Sequence, residues 1–124
     1  MDFKKLLAFR KGFNLAMEIF EITKTFVKEE KYSLTDQIRR SSPSTCGQIA
    51  EAYRKRRYVK HYISKLSDGD GEDSETQVWL AFAYTCKYID QPTFQRLTQL
   101  SEEVGKLIGF MMKNPYQFGV QKPE

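Results

Sequence analysis

The sequence predicts an all-helical protein folded as a four-helix bundle. Three observations carry this expectation. Apolar residues recur at three- and four-residue spacing along most of the chain, the period of a helix with a buried face. No stretch shows the two-residue alternation of a strand. Helix-stopping residues, Asp90-Gln91-Pro92 and Asn114-Pro115, cut the chain into pieces of helix length. At 124 residues the chain makes a single domain, 1–124, and buries roughly two-thirds of the surface its unfolded form exposes.

The first helix is expected over 4–27. One apolar stripe is Leu6, Phe9, Phe13, Ala16 and Phe20, and a second is Leu15, Ile19, Ile22 and Phe26. Two adjacent stripes cover more arc than one seam needs, so this helix is buried on two sides or also touches a neighbouring subunit. After a charged connection, Ser33 offers an N-cap oxygen and Asp36 favours the start of a second helix, 34–54. Its middle is small: Ser41, Ser42, Ser44, Thr45, Cys46, Gly47, Ala50 and Ala52. Pro43 lies inside it and removes one backbone donor. Pro92 suits the first turn of a last helix, 93–113. That helix presents Phe94, Leu97, Leu100, Val104, Leu107, Ile108 and Met111. The tail, 114–124, is expected to be mobile.

Between the second and last helices lie the two most unusual stretches. Residues 54–65 hold Arg54, Lys55, Arg56, Arg57, Lys60 and Lys65 with no acid, interleaved with Tyr58, His61 and Tyr62. Residues 67–75 are wholly polar and carry Asp68, Asp70, Glu72, Asp73 and Glu75 beside Gly69 and Gly71. Local propensity makes this second stretch a loop, because an interior Gly costs about 1 kcal/mol against Ala.

The chain is 40% hydrophobic and 29% charged, with nine Phe, seven Tyr and one Trp. That aromatic supply exceeds the need of one small core and hints at a second buried surface. The longest apolar run, 78–84, is far short of the ~18 residues of a membrane span. Arg10 and Lys11 interrupt any signal-peptide core. The expected location is therefore the cytoplasm, where Cys46 and Cys86 read as thiols rather than a disulfide. The net charge of +4 divides unevenly, with +8 in residues 1–66 and −4 in residues 67–124. Polyanion binding and head-to-tail association both use such a layout.

No catalytic constellation is visible, and neither a metal nor a cofactor is expected. Asp68-x-Asp70-x-Glu72 matches the opening of a calcium loop, but Asp73 stands at the glycine position and Trp79 at the twelfth. One His and two distant Cys lack zinc spacing. His61 is the only imidazole for a nucleophile, and no motif surrounds it. Gly69-Asp70-Gly71 lacks the Lys-Ser/Thr of a phosphate loop. The basic run remains the strongest functional feature. Clustered Arg and Lys neutralise phosphates, and aromatic neighbours stack on unpaired bases. Arg54, Lys55, Arg56, Arg57 and Lys60 are the candidate nucleic-acid contacts. The alternative is a solvated helix end that pairs with acidic segments.

Several motifs resemble a known family. Phe3-Lys4-Lys5-Leu6, then Tyr32-Ser33-Leu34-Thr35-Asp36-Gln37-Ile38-Arg39-Arg40, then Ile49-Ala50-Glu51 and Glu75-Thr76-Gln77 resemble the bacterial proteins encoded within 23S rRNA intervening sequences. The resemblance implies an antiparallel up-down four-helix bundle assembling into a homopentamer, with no enzymatic activity. It extends to the pentameric, basic, nucleic-acid-binding accessory proteins of diversity-generating retroelements. Two departures stand out. Where the family has Ser-Ile-Pro-x-Asn-Ile-Ala-Glu-Gly, this chain has Ser44-Thr45-Cys46-Gly47-Gln48-Ile49-Ala50-Glu51-Ala52, with its proline at Pro43. The family's third helix runs unbroken through the Gly69 position among apolar neighbours, and here those neighbours include Asp68, Asp70 and Asp73.

The resemblance and the local loop signal conflict, and the reading adopted is one long third helix, 57–88. Its polar middle then needs basic partners. Arg39 or Arg40 is expected to pair with Glu51, Asp73 or Glu75, within the bundle or between subunits. Two functions follow from the sequence. One is a homo-oligomer, a pentamer on the resemblance, that binds RNA or DNA through its basic run. The other is a protein-interaction scaffold whose basic and acidic segments meet between subunits.

Overall fold

The computed structural model describes residues 2–123. A short 3-10 turn, Phe3–Lys5, leads into α1, Leu7–Thr23. The Asp2 carboxylate accepts from the Lys4 backbone N–H at 3.0 Å and starts the turn. The second apolar stripe of α1 is the one that goes inside: Leu15 and Ile19 are buried, with Ala8, Gly12 and Thr23 on the same face. The first stripe divides. Leu6 is buried, whereas Phe13 and Phe20 stay largely exposed.

A second 3-10 turn, Lys28–Glu30, precedes α2, Leu34–Arg54. Ser33 does not cap α2 as its position suggests. Its hydroxyl donates to Glu30 instead, and the Glu30 carboxylate also lies 3.5 Å from the Leu34 N–H. A full negative charge at the positive end of the helix dipole replaces the hydroxyl cap. Hydrogen bonds from Ser33 and Tyr88 hold the Glu30 carboxyl below its usual range. Pro43 sits inside α2 without ending it. Around it, Ser42, Ser44 and Thr45 donate to the carbonyls of Ile38, Arg40 and Ser41, one turn earlier.

The third helix, α3, is Val59–Thr85, about 40 Å long at the helical rise. Residues 67–75 are helical throughout, so the local loop signal fails, although the helix is shorter at both ends than the expected 57–88. Its buried seam is Tyr62, Leu66, Gly69, Asp73, Thr76, Leu80 and Ala83, spaced alternately four and three residues apart. The last helix, α4, is Gln91–Lys113. Asp90 caps it, accepting from the Thr93 N–H at 2.9 Å, with Pro92 in the first turn. Its seam, Leu97, Ser101, Val104, Ile108 and Met111, keeps the same spacing.

The described residues are all-α, with no strand. Helix α1 packs on α2 and α4, and α3 packs on the same two. Three apolar clusters fill the bundle, and two of them flank its middle. One joins Leu6, Ile49, Tyr53, Tyr62, Leu66 and Ile108, and the other joins Leu15, Ile19, Ile38, Leu80 and Leu97. The third, Phe26, Leu34 and Ala83, lies at the end far from Phe3 and Phe118. Between the first two lies a waist of small and polar residues. Ser41 and Thr76 share a hydrogen bond of 2.9 Å, and Ser101 donates to Asp73 at 2.7 Å. A Cβ placed on Gly69 would stand 3.3 Å from Gln48 Cβ and 3.6 Å from the Thr45 carbonyl oxygen. That close approach of α2 and α3 is what glycine permits here. Cys46 is buried against Gly12, and burial pushes its thiol up to about 11. Cys86 is exposed where α3 ends, and both are free thiols.

In the tail, Pro115–Phe118 forms a 3-10 turn and Val120 is buried with Leu6, Ala52 and Tyr53, whereas residues 121–123 are exposed; Glu124 lies outside the described residues. The apolar Phe118 and Val120 dock because the end cluster would otherwise face water.

Candidate nucleic-acid interface

The basic run is folded back on itself. Arg54 closes α2, and Lys55 to Tyr58 form the corner. Lys60 lies in the first turn of α3. Phe3 near the start of the chain and Phe118 near its end come to the same end of the molecule. The Arg54 guanidinium lies over the Phe3 ring at 5.6 Å, and Arg56 Nη1 donates to the Phe118 carbonyl at 3.1 Å. Lys4 and Lys5 in the opening turn, and Lys113 closing α4, thus join the same basic end.

Arg54, Lys55, Arg57 and Lys60 are exposed, and Arg56 is half-buried. Among the described residues, none of these five forms an ion pair with a carboxylate. Lys65, the last cation of the run, differs: it pairs with Glu51 at 3.1 Å. Arg57 lies 5.9 Å from the Tyr58 ring, and Tyr58 meets His61 edge-on at 5.7 Å. Exposed cations beside exposed aromatic rings provide both elements of single-strand recognition.

Two adjoining hollows open in this surface. One, of about 540 Å³, is lined by Tyr53, Arg54, Arg56, Arg57, Gly119 and Gln121. The other, of about 530 Å³, is lined by Asp2, Phe3, Lys4, Tyr53, Arg54 and Arg56. The sequence reading named the arginines but missed Phe3, Lys4, Gly119 and Gln121. Lys4 and Lys5 were visible as N-terminal charge. Nothing in the sequence places Gly119 or Gln121 beside Arg56.

The expected ion-pair network does not form within the chain. Arg39 Nε donates to Thr23 Oγ1 at 2.7 Å, and its guanidinium lies 4.7 Å from the Phe20 ring. Arg40 pairs with Asp36 at 3.7 Å, one turn away on the same helix. Glu51 goes to Lys65, and Glu75 is exposed without an ion pair among the described residues. Arg39 turns to the carbonyl end of α1, where the Thr23 hydroxyl and the Phe20 carbonyl accept from its guanidinium.

Asp73 is answered by a hydroxyl rather than an arginine. It is 1% exposed. Burial raises its carboxyl to about 6, against the lowering effect of the Ser101 hydrogen bond and with a further push from Asp70. A Cβ on Gly105 of α4 would stand 3.1 Å from Asp73 Oδ2. Burial and the neighbouring Glu75 likewise raise Glu72. Among the described residues, no three His, Cys, Asp or Glu side chains gather to hold a metal ion. No described helix is long and apolar enough to cross a membrane.

The sequence pattern of the family described as 23S rRNA-intervening sequence protein matches residues 4–109. The chain belongs to that family. The match spans all four helices of this intervening-sequence protein up to the last turn of α4, and excludes the docked tail. A solved structure agrees. A protein of unknown function from the S23 ribosomal protein family of Bacteroides thetaiotaomicron superposes with a TM-score of 0.78 at 28% identity, covering 86% of this chain and 96% of the other. No curated protein sequence matches at a significant level.

Proposed function

We propose that this intervening-sequence protein is a non-catalytic cytoplasmic homo-oligomer that binds nucleic acid through its basic end. The observation that carries the reading is the set of five cations, Arg54 to Arg57 and Lys60, gathered at one end without carboxylate partners. Unpaired cations hold condensed phosphate charge, whereas neutralised ones do not. The exposed Tyr58 beside them offers a stacking face.

The assembly is an antiparallel up-down bundle repeated as a pentamer. The bundle order is supported by contacts running in opposite directions along α1 and α2: Phe20 meets Arg39, Gly12 meets Cys46, and Phe3 meets Arg54. Self-association is supported by Phe13, Met17 and Phe20 on one face of α1, each at least 42% exposed. The pentameric count rests on the family resemblance alone.

Anisotropy of a labelled single strand across a salt series tests the binding. Affinity falls steeply with ionic strength, with a log–log slope of about −0.7 per phosphate neutralised. Arg54→Glu with Arg57→Glu removes binding at low salt. A wild-type chain that leaves the strand free at low ionic strength ends this reading.

A scaffold function is the second reading, favoured by Asp68, Asp70, Glu72 and Glu75, which make no ion pair among the described residues. In that case the acids meet Arg40 and the basic end of a neighbouring subunit. Light scattering separates the two: the scaffold falls apart in high salt and ignores polyanions, whereas a nucleic-acid binder held by its α1 face keeps its mass.

A further inference from the structure

Arg56 differs from its basic neighbours in being held in place. Its Nε donates to the Tyr53 carbonyl at 2.7 Å and its Nη1 to the Phe118 carbonyl at 3.1 Å. Its guanidinium carbon lies 3.6 Å from the centre of the Tyr53 ring. Arg56 lines both hollows, together with Tyr53 and Arg54. A guanidinium carries five N–H donors in a rigid fork. Two are engaged with carbonyls, and the others remain for a ligand in the hollows.

We propose that the paired hollows are a phosphate seat, with Arg56 as its fixed donor and the docked tail as the clamp that fixes it. Arg54 and Arg57 flank the fork and supply further charge. Phosphate suits this arrangement because it accepts several hydrogen bonds from a planar fork, and a fork already immobilised loses little freedom on binding. Among the described residues Asp2 is the one acid on the rim, and it is 4.0 Å from Lys4 Nζ. The clamp depends on Gly119. Its φ is +92°, and a Cβ there would stand 2.6 Å from Arg56 Nη1. A side chain at 119 would therefore displace the fork without altering any charge. The seat deepens the nucleic-acid reading, on which it rests only for the origin of the phosphate.

The test uses the full chain. Inorganic phosphate is titrated and followed by phosphorus NMR, and a short labelled strand, with and without a 5′-phosphate, is followed by anisotropy. Wild type binds inorganic phosphate. Arg56→Lys keeps the charge, loses the fork and weakens phosphate binding about tenfold. Gly119→Ala weakens it comparably with no change of charge, and Lys28→Gln, at the other end of the molecule, leaves it unaltered. Tighter binding of the phosphorylated strand assigns the seat to a terminal monoester, and equal binding assigns it to a backbone diester. Circular dichroism accompanies each variant. Absence of phosphate binding to wild type overturns the proposal. So does a folded Arg56→Lys that binds phosphate within twofold of wild type. Strand binding that survives such a result keeps the nucleic-acid reading without the seat. Phosphate binding without strand binding keeps the seat and removes that reading.

Discussion

Helices α1 and α3 invert each other. Helix α1 has the clearer apolar periodicity, yet leaves Phe13, Met17 and Phe20 at 50%, 46% and 42% exposure. Helix α3 has almost none, yet buries an unbroken seam of seven residues. Apolar pattern measures what a side chain would gain by leaving water. It does not measure what the geometry of a seam accepts. In α3 three seam positions are Gly69, Asp73 and Thr76, which fit because they are small or find a hydroxyl partner.

The comparison breaks most sharply at Gly69. Gly69→Leu forces α2 and α3 apart against Gln48 and the Thr45 carbonyl. It should lower stability by about 3 kcal/mol, the upper range for overpacking, read from urea midpoints. An unchanged midpoint would mean that the waist is not close-packed.

Asp73→Asn is next, and its effect changes with pH. The folded carboxyl sits at about 6 against 3.8 when unperturbed. Between those values the folded state holds a proton that the unfolded chain has released, so stability falls as pH rises through the window. The full penalty acts above the folded value. Asn removes it, and should raise stability by up to about 3 kcal/mol near pH 8 while changing little below about pH 4. Melting curves at both extremes check this, and a pH-independent difference would contradict it.

Phe13→Ser is the mildest. On the exposed face of α1 it removes a ring stacked on Phe9 at 6.2 Å. It should cost the dilute chain less than about 1 kcal/mol. A loss as large as that of Gly69→Leu would place the α1 face inside the folding unit rather than on a surface for association.

Much of the fold was legible because it rested on strong local signals. Pro92 and Asp90 marked the start of α4, and the Leu97 to Met111 seam gave its buried face. The helical state of 67–75 was not legible from local propensity, since its support comes from Ser101 and Gly105 on a helix about thirty residues away. Family resemblance supplied it, but the expected arginine partners do not meet these acids within the chain. A buried carboxylate can be answered by a hydroxyl, here that of Ser101, and sequence composition does not show that. At the candidate site the arginines of the run were plain. The clamp was hidden because it depends on a left-handed Gly119 and a carbonyl of Phe118, and backbone atoms leave no mark in residue type.

The two thiols lie in unlike surroundings, one sealed between α1 and α2 and one open to solvent at the end of α3. A maleimide dye therefore finds a single attachment point on each folded chain, remote from the arginine corner. One fluorophore per copy turns stepwise photobleaching of isolated particles into a direct census of how many chains travel together.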